Sequence, residues 1–509
     1  MSGRKTFFSR FQLDLPLAAI IAVGAALRLY RLGAQSFWFD ETAEMRVAMR
    51  ALSQIVTGRE GIGVVYGPHG MSGDVQPPLT HYVYHFWLKL GCGEFWVRLL
   101  PALLGVLTIY VLYALGRDLL GRSQGLFAAF LLAVSPFHIW YSQDARPYSF
   151  LVLFSLAGMF YFLRALRQGG RTNRLLYVVF MLAAMYSQPY AAFVFVAQMA
   201  YAALARWREG KVVSPPVVQF ASIAVLFLPW VYVSVNIMGK HIQAPKPIGL
   251  SALFYTFYAF IYGFSMGPSV AQLRLHQSIG SFVPYLPLIV PMAGVVALLF
   301  IRGVSSVFRR SANTGLMLLL WLLLPIISAW ALAKVTGGNY NARYASVSVP
   351  AFFLILADGF LCTRKSYARA VALVVIVITC AYSLWNYYFI PLYQKADVRT
   401  AAGYISERYA PGDVIFAAPE SEFRWYYLER MGMRSPVLGF NAQSNPLGAI
   451  RAGLKKGDFR RLWVILPVPW ANEPAAKDLQ ASLARDYRME DRRDFTGLRV
   501  YRCAIRGAD

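Results

Sequence analysis

Residues 13–42 read LDLPLAAIIAVGAALRLYRLGAQSFWFDET, and the fold turns on them. The first part, 13–32, is apolar apart from Asp14, Arg28 and Arg31, and as a helix it is long enough to cross a hydrocarbon layer of ~30 Å. A few residues later, directly after Phe37-Trp38-Phe39, come two adjacent carboxylates, Asp40 and Glu41. An apolar run that ends in aromatics and paired acids reads as chain leaving a membrane and setting ionisable groups at its surface.

Similar runs recur at 95–116, 124–141, 148–166, 174–189, 190–206, 217–236, 282–301, 314–333, 347–363 and 370–391. Only the kink Ser187-Gln188-Pro189-Tyr190 parts the fifth and sixth of all eleven. The pattern predicts a polytopic α-helical membrane protein with about 11 transmembrane helices. Composition agrees: 57% of residues are hydrophobic and 15% charged, with mean hydropathy +0.45. A soluble chain carries roughly 25% charged residues, so soluble globular, disordered and fibrous classes are excluded.

The formal net charge is +25. Bases cluster in alternate short connections: Arg4, Lys5 and Arg10; Arg117 and Arg122; Arg164, Arg167, Arg171 and Arg174; Arg206, Arg208 and Lys211; Arg302, Arg309 and Arg310; Arg364, Lys365 and Arg369. The positive-inside rule places these in the cytoplasm, so the N-terminus is expected inside and the C-terminal portion outside. The first run lacks a small-residue cleavage site and reads as a signal anchor. No basic stripe is interleaved with base-stacking aromatics, so no nucleic-acid partner is expected. The cysteines Cys92, Cys362, Cys380 and Cys503 show no metal spacing, and only Cys92 and Cys503 would face an oxidising side.

Residues 1–395 are expected to form the membrane domain. Its first outside loop, 33–94, has an amphipathic helical stretch over 40–57, a Gly- and Pro-rich loop, then Pro77-Pro78-Leu79 and an aromatic stretch through Trp87. Residues 396–509 are expected to form a small extracytoplasmic α/β domain. A helical signal at Thr400–Tyr409 alternates there with short apolar runs at Val414–Ala417, Leu462–Pro467 and Leu498–Tyr501.

Only eleven of the 25 acids fall in 1–395. Seven face outward: Asp40, Glu41, Glu44, Glu60, Asp74, Glu94 and Asp144. Beside apolar aromatics, the Asp40-Glu41 pair suits general-base work, though Asp40 also reads as the N-cap of the following helix. In Tyr141-Ser-Gln-Asp-Ala-Arg-Pro-Tyr148, Asp144 and Arg146 form either a second polar element of a site or a local ion pair capping a turn. Lys334 and Asn339-Tyr-Asn-Ala-Arg343-Tyr344 are basic on the side where few bases are expected, and Arg343 forks well onto a phosphate. Arg28 and Arg31 are similarly placed, with snorkelling to headgroups as the plain reading. Outward carboxylates near outward arginines fit transfer of a sugar from a lipid phosphate. No nucleotide-binding motif is present, in line with such a donor.

Arg28-Leu-Tyr-Arg-Leu-Gly, Ser-Phe-Trp-Phe-Asp40-Glu41, Pro77-Pro-Leu79, Phe95-Trp-Val-Arg-Leu-Leu-Pro101, Gln143-Asp-Ala-Arg-Pro-Tyr148 and Ala342-Arg-Tyr344 occur in the order of a known family. The sequence resembles the bacterial GT-C fold glycosyltransferases related to protein O-mannosyltransferases and to the lipid A aminoarabinose transferase. The resemblance implies an inverting transferase that uses a polyprenyl-phosphate-linked sugar at the periplasmic face of the bacterial inner membrane. The acceptor would be a lipid, glycan or protein. Asp40, Glu41 and Asp144 would be catalytic; Arg343, Arg146, Lys334 and Tyr344 would hold the donor phosphate; and Gln76, Pro77, Pro78 and His81 would form a substrate loop. Relatives often carry Lys or His where Gln76 stands, so a phosphate contact there must come from elsewhere, with His69 and His81 nearby. No cofactor is required, and a divalent cation on the two adjacent acids stays open. The competing reading is a transporter or flippase of a lipid-linked glycan, which would place ionisable groups near mid-membrane.

Overall fold

The structure, a computed structural model, describes residues 14–57, 64–65, 72–73, 76–209, 216–238, 248–269, 272, 279–338, 340–417, 426–428, 437–439, 446–455, 457, 459–467 and 474–505. Glu60, His69, Asp74 and Asn339 lie outside them.

Helix α1, Leu15–Leu29, starts where the Asp14 side chain accepts from the Leu17 N–H at 3.1 Å, with Pro16 in the first turn. Then follow α2 (Phe39–Ala48), α3 (Leu52–Thr57), the short strands β1 (Val64–Val65) and β2 (Ser72–Gly73), and α4 (Leu79–Trp87). The amphipathic stretch over 40–57 is thus two helices, broken after Ala48. Helices α5 (Glu94–Leu119), α6 (Arg122–Val134), α7 (Pro136–Ser142), α8 (Tyr148–Gln168), α9 (Arg171–Ser187), α10 (Ala192–Glu209), α11 (Val217–Met238) and α12 (Ser251–Tyr262) come next.

All eleven apolar runs are helical, but they differ in length. Seven stretches are long and apolar enough to cross a membrane: Glu94–Leu119, Tyr148–Gln168, Val217–Val235, Gly280–Arg310, Ala312–Thr336, Ala342–Leu361 and Ser366–Phe389. The pair α6 and α7, bent by 62°, makes an eighth if it is one span. The bend falls at Ser135-Pro136, where Pro cannot continue the α6 ladder and Ser135 caps α7. Leu15–Leu29, Arg171–Ser187 and Pro189–Ala205 are shorter, the last two parted by the predicted kink at Gln188-Pro189. Helix α12 was missed by the sequence reading.

Packing in the bundle is close. A Cβ on Gly303 or Gly359 would strike the backbone carbonyl of Ile355 or Leu299, so helices Leu286–Arg310 and Val349–Leu361 meet backbone to backbone.

The C-terminal portion holds a five-stranded sheet in the order β4-β3-β5-β7-β6, with β3 (Asp413–Ala417), β4 (Val437–Gly439), β5 (Arg461–Pro467), β6 (Arg488–Phe495) and β7 (Leu498–Ala504). β3 runs parallel to β4 and β5, while β7 is antiparallel to β5 and β6. Three of these match predicted runs. β6, RMEDRRDF, escaped notice because it has no apolar alternation; it is a charged edge strand, which discourages further pairing.

The two faces of the sheet do different things. Val414, Phe416, Leu462 and Val464 pack with Ile450, Leu479 and Leu483 of the domain's own helices. Ile415, Trp463, Ile465 and Val500 share a core with Phe37, Met45, Tyr84 and Ala145. The sheet therefore sits directly on the segment that carries Asp40 and Glu41. All four cysteines are free thiols, Cys92 and Cys503 included.

Candidate active site

Four elements converge at one end of the bundle: the start of α2, the α7–α8 turn, the turn at Ala342–Ser348, and the junction after helix Ser366–Phe389. Trp38 has extended backbone and is the N-cap of α2, with Asp40 and Glu41 in the first turn. Asp40 is therefore not the cap, although both acids sit where the helix dipole favours negative charge. The Trp38 N–H donates to Glu41 Oε2 at 3.3 Å.

Glu41 is fully buried. Arg98 of α5 grips it in two-pronged fashion, with Nε to Oε1 and Nη2 to Oε2 both 2.7 Å. Lys395 Nζ donates to Oε2 at 3.0 Å and the Ala145 N–H to Oε1 at 3.0 Å. Burial alone would raise this carboxyl's pKa, but the charges of Arg98 and Lys395 and these hydrogen bonds outweigh it and hold the group at about 2.

Asp144 is also buried, and its Oδ1 accepts from Lys395 Nζ at 3.0 Å and Trp38 Nε1 at 2.7 Å. Its Oδ2 has no hydrogen-bond partner among the described residues. Burial, helped by the Glu41 charge and opposed by Lys395, raises this carboxyl above the usual range.

Asp40 is different. Its Oδ2 lies 3.0 Å from Arg343 Nη1 and 4.0 Å from Arg146 Nε, and its side chain keeps 19% exposure. Arg146 also donates to the Asp40 carbonyl at 3.2 Å and pairs with Glu44 at 3.4 Å. Asp144 and Arg146 are thus not a local ion pair capping the turn. Each reaches across to a different element. The Arg343 guanidinium stands 5.4 Å from the ring centres of both Tyr148 and Tyr344, and Tyr344 stacks on Tyr190 at 4.2 Å.

Other predicted residues are placed less centrally. Lys334 is exposed, with its ammonium over the Trp330 ring, and no hydrogen bond or ion pair joins it to the cluster among the described residues. Gln76 and Pro77 are buried, and Pro78 is the N-cap of α4. His81 lies in α4, and its Nδ1 stands 2.7 Å from Glu44 Oε1, which sets α4 against α2.

Arg28 does not snorkel. It is fully buried and donates to the carbonyls of Gly24, Leu132 and Ala133, with His138 Nδ1 at 2.9 Å. It thereby caps the end of α6 at the bend. Arg31 is exposed, over the Phe389 ring.

Arg98, Lys395, Glu44 and Trp38 were missed as site residues. Glu44 was among the seven outward carboxylates, and two more of them carried a signal. Arg98 is a lone base just inside an apolar run, a position that favours function, and Lys395 is a base at the expected outer end of the last run.

The donor set gives little support to a cation on the adjacent acids. Asp40 and Glu41 point to different basic partners, and no group of three or more His, Cys, Asp or Glu side chains able to hold a metal occurs among the described residues.

This is the fold of the membrane GT-C glycosyltransferases. Residues 75–233 match the family model for dolichyl-phosphate-mannose-protein mannosyltransferases. Over the whole chain the structure resembles ArnT from Cupriavidus metallidurans in the apo state, with TM-score 0.57 and 15% identity over 96% of this chain and 97% of that one. It also resembles the Archaeoglobus fulgidus oligosaccharyltransferase, with TM-score 0.52 and 13% identity over 91% of this chain and 70% of that one. Two Bacillus subtilis proteins, YycA and YkcB, named as inferred mannosyltransferases, are each 24% identical over 159 residues, or 31% of this chain. That match spans 22% of the length of either relative.

Proposed function

We propose that the protein is a multi-pass membrane glycosyltransferase that moves a sugar from a polyprenyl-phosphate donor to an acceptor hydroxyl in the cell envelope, with inversion. The single observation carrying this reading is the Asp40 carboxylate, partly exposed and facing Arg343 and Arg146, in front of two buried carboxylates already neutralised by Arg98 and Lys395. A transporter reading would expect such groups near mid-membrane, whereas here they gather at one end of the bundle. Solved ArnT bound to undecaprenyl phosphate has the same fold, with TM-score 0.50 and 14% identity over 96% of this chain and 97% of that one, which supports a lipid phosphate as the donor's leaving group.

In this reading Arg343 and Arg146 take the donor phosphate, with Asp40 beside them. Asp40 accepts the proton of the acceptor hydroxyl as its oxygen attacks the anomeric carbon. The bond from that carbon to the phosphate oxygen breaks, and polyprenyl phosphate leaves with the bonding pair, its growing charge held by the two guanidinium groups. Residues 1–395 form the transferase unit and 396–509 a domain placed on the periplasmic side of a bacterial inner membrane, with the N-terminus cytoplasmic.

The test is mass spectrometry of surface lipids and glycans from a deletion strain complemented with wild type or Asp40→Asn. The expected result is a sugar modification lost on deletion, restored by wild type and not by Asp40→Asn. An envelope profile unchanged by deletion overturns the reading.

A further inference from the structure

We propose that Lys395 is a positioning residue for the transfer reaction, an inference that rests on the transferase reading above. Its Nζ is the one donor among the described residues that touches both buried carboxylates, Glu41 at the start of α2 and Asp144 in the α7–α8 turn, at 3.0 Å each. Those two elements carry Asp40, which is partly exposed, and the buried Arg146, whose Nε stands 4.0 Å from it. Together with the direct links between these elements, Lys395 therefore helps to set the separation of the reacting carboxylate from one of its arginines, without touching either.

The Lys395 side chain is only 7% exposed, and its ammonium lies over the Trp38 ring, 5.7 Å from the ring centre. Trp38 in turn donates to Asp144. Glu41 and Asp144 against Arg98 and Lys395 make a buried group of no net charge. Removing one member leaves an uncompensated charge, which the surrounding structure must move to accommodate.

Glu41 would still be held by Arg98, the Ala145 N–H and the Trp38 N–H. Asp144 would keep Trp38 alone, its second oxygen already unpartnered among the described residues. The bonds from the Ala145 N–H to Glu41 and from Arg146 to the Asp40 carbonyl still join the turn to α2, so the loss falls on the Asp144 side chain and the part of the turn it anchors.

The backbone around Lys395 is fixed for the task. Its N–H donates to Gln35 Oε1 at 2.9 Å, and Ser36 Oγ donates to Asp397 Oδ1 at 3.2 Å. The Arg399 N–H donates to Ser36 Oγ at 3.1 Å, its Nη2 reaches the Ala34 carbonyl at 2.7 Å, and its Nη1 pairs with Glu94 at 3.2 Å. The junction to the sheet domain thus holds the loop that precedes Asp40 while its lysine holds the acids behind it.

The experiment compares the full-length chain as wild type, Lys395→Met, and the charge-balanced double variant Lys395→Met with Asp144→Asn, with Asp40→Asn and Asp144→Asn alone as controls. Product is measured by mass spectrometry in the complemented deletion strain, normalised to folded protein extracted in detergent. Undecaprenyl phosphate binding is measured on the purified chain. The expectation is at least a tenfold loss of product per folded molecule in both Lys395 variants, with undecaprenyl phosphate binding within threefold of wild type. If the single variant fails to fold, the double variant is read against Asp144→Asn alone, and a double variant that gives as much product as Asp144→Asn overturns the proposal. The proposal is overturned if either folded variant gives wild-type product, or if product and binding fall together in equal proportion. If Asp40→Asn keeps full product, the transferase reading itself fails, an outcome distinct from both.

Discussion

Asp40 and Arg343, 303 positions apart, meet at 3.0 Å, and each side chain keeps 19% of its surface open. The carboxylate read as the base and the guanidinium read as the phosphate clamp neutralise each other across this contact. In the proposed mechanism a phosphate arriving at Arg343 would compete with Asp40 and free the carboxylate for the acceptor.

That competition predicts a split phenotype for Asp40→Asn. Transfer is expected to fall by about 10²- to 10⁴-fold, the range for loss of a general base. Undecaprenyl phosphate should bind about two- to fivefold tighter, because an ion pair of this exposure is worth up to about 1 kcal/mol. Titration of the purified chain followed by native mass spectrometry checks it, and unchanged or weaker binding refutes the competition.

Arg343→Ala should act in the opposite sense. Loss of a charged hydrogen bond of roughly 1.5–3 kcal/mol corresponds to phosphate binding about 10- to 100-fold weaker. Lys334→Ala, at an exposed residue over Trp330, is expected to change binding by less than about threefold, the scale of a screened charge. The same titration on both variants ranks the two bases.

The Arg98–Glu41 pair should matter chiefly for stability. Arg98→Ala strands a buried carboxylate, at a cost of about 3–5 kcal/mol. Adding Glu41→Gln removes that charge and should recover part of the loss. Thermal unfolding of the two variants in detergent decides, and equal midpoints would count against a charge-based penalty.

Stability should also depend on pH through both buried acids, with opposite signs. Glu41, ordinarily near 4.5, is held at about 2, so its contribution is present above about 4.5 and is lost as pH falls toward 2. Asp144 is raised above its ordinary 3.8, so its contribution is present below that value and is lost as pH rises through its folded-state pKa. Unfolding midpoints against pH should therefore fall less steeply on the acid side in Glu41→Gln and decline less above 3.8 in Asp144→Asn.

The helices were legible because each apolar run states its own length, and all eleven runs fold as helices. Where length misled, as at 124–141, the bend was written locally in Ser135-Pro136. The carboxylates of the site were legible because acids are scarce in 1–395. Their partners were not. Lys395 pairs with Glu41 across 354 positions, and Arg28 turns inward because the α6 bend offers carbonyls that a linear reading cannot see. β6 was hidden because its exposed charges carry no alternation.

The junction that clamps Gln35 and Ser36 has a consequence for biosynthesis. The segment bearing Asp40 leaves the ribosome early, whereas Lys395, Asp397, Arg399 and Tyr427, which donate to it or accept from it, follow several hundred residues later. For most of translation the nascent first loop has none of these contacts. The loop that carries Asp40 can therefore take up the arrangement seen here only after the sheet domain has been made and has packed against it.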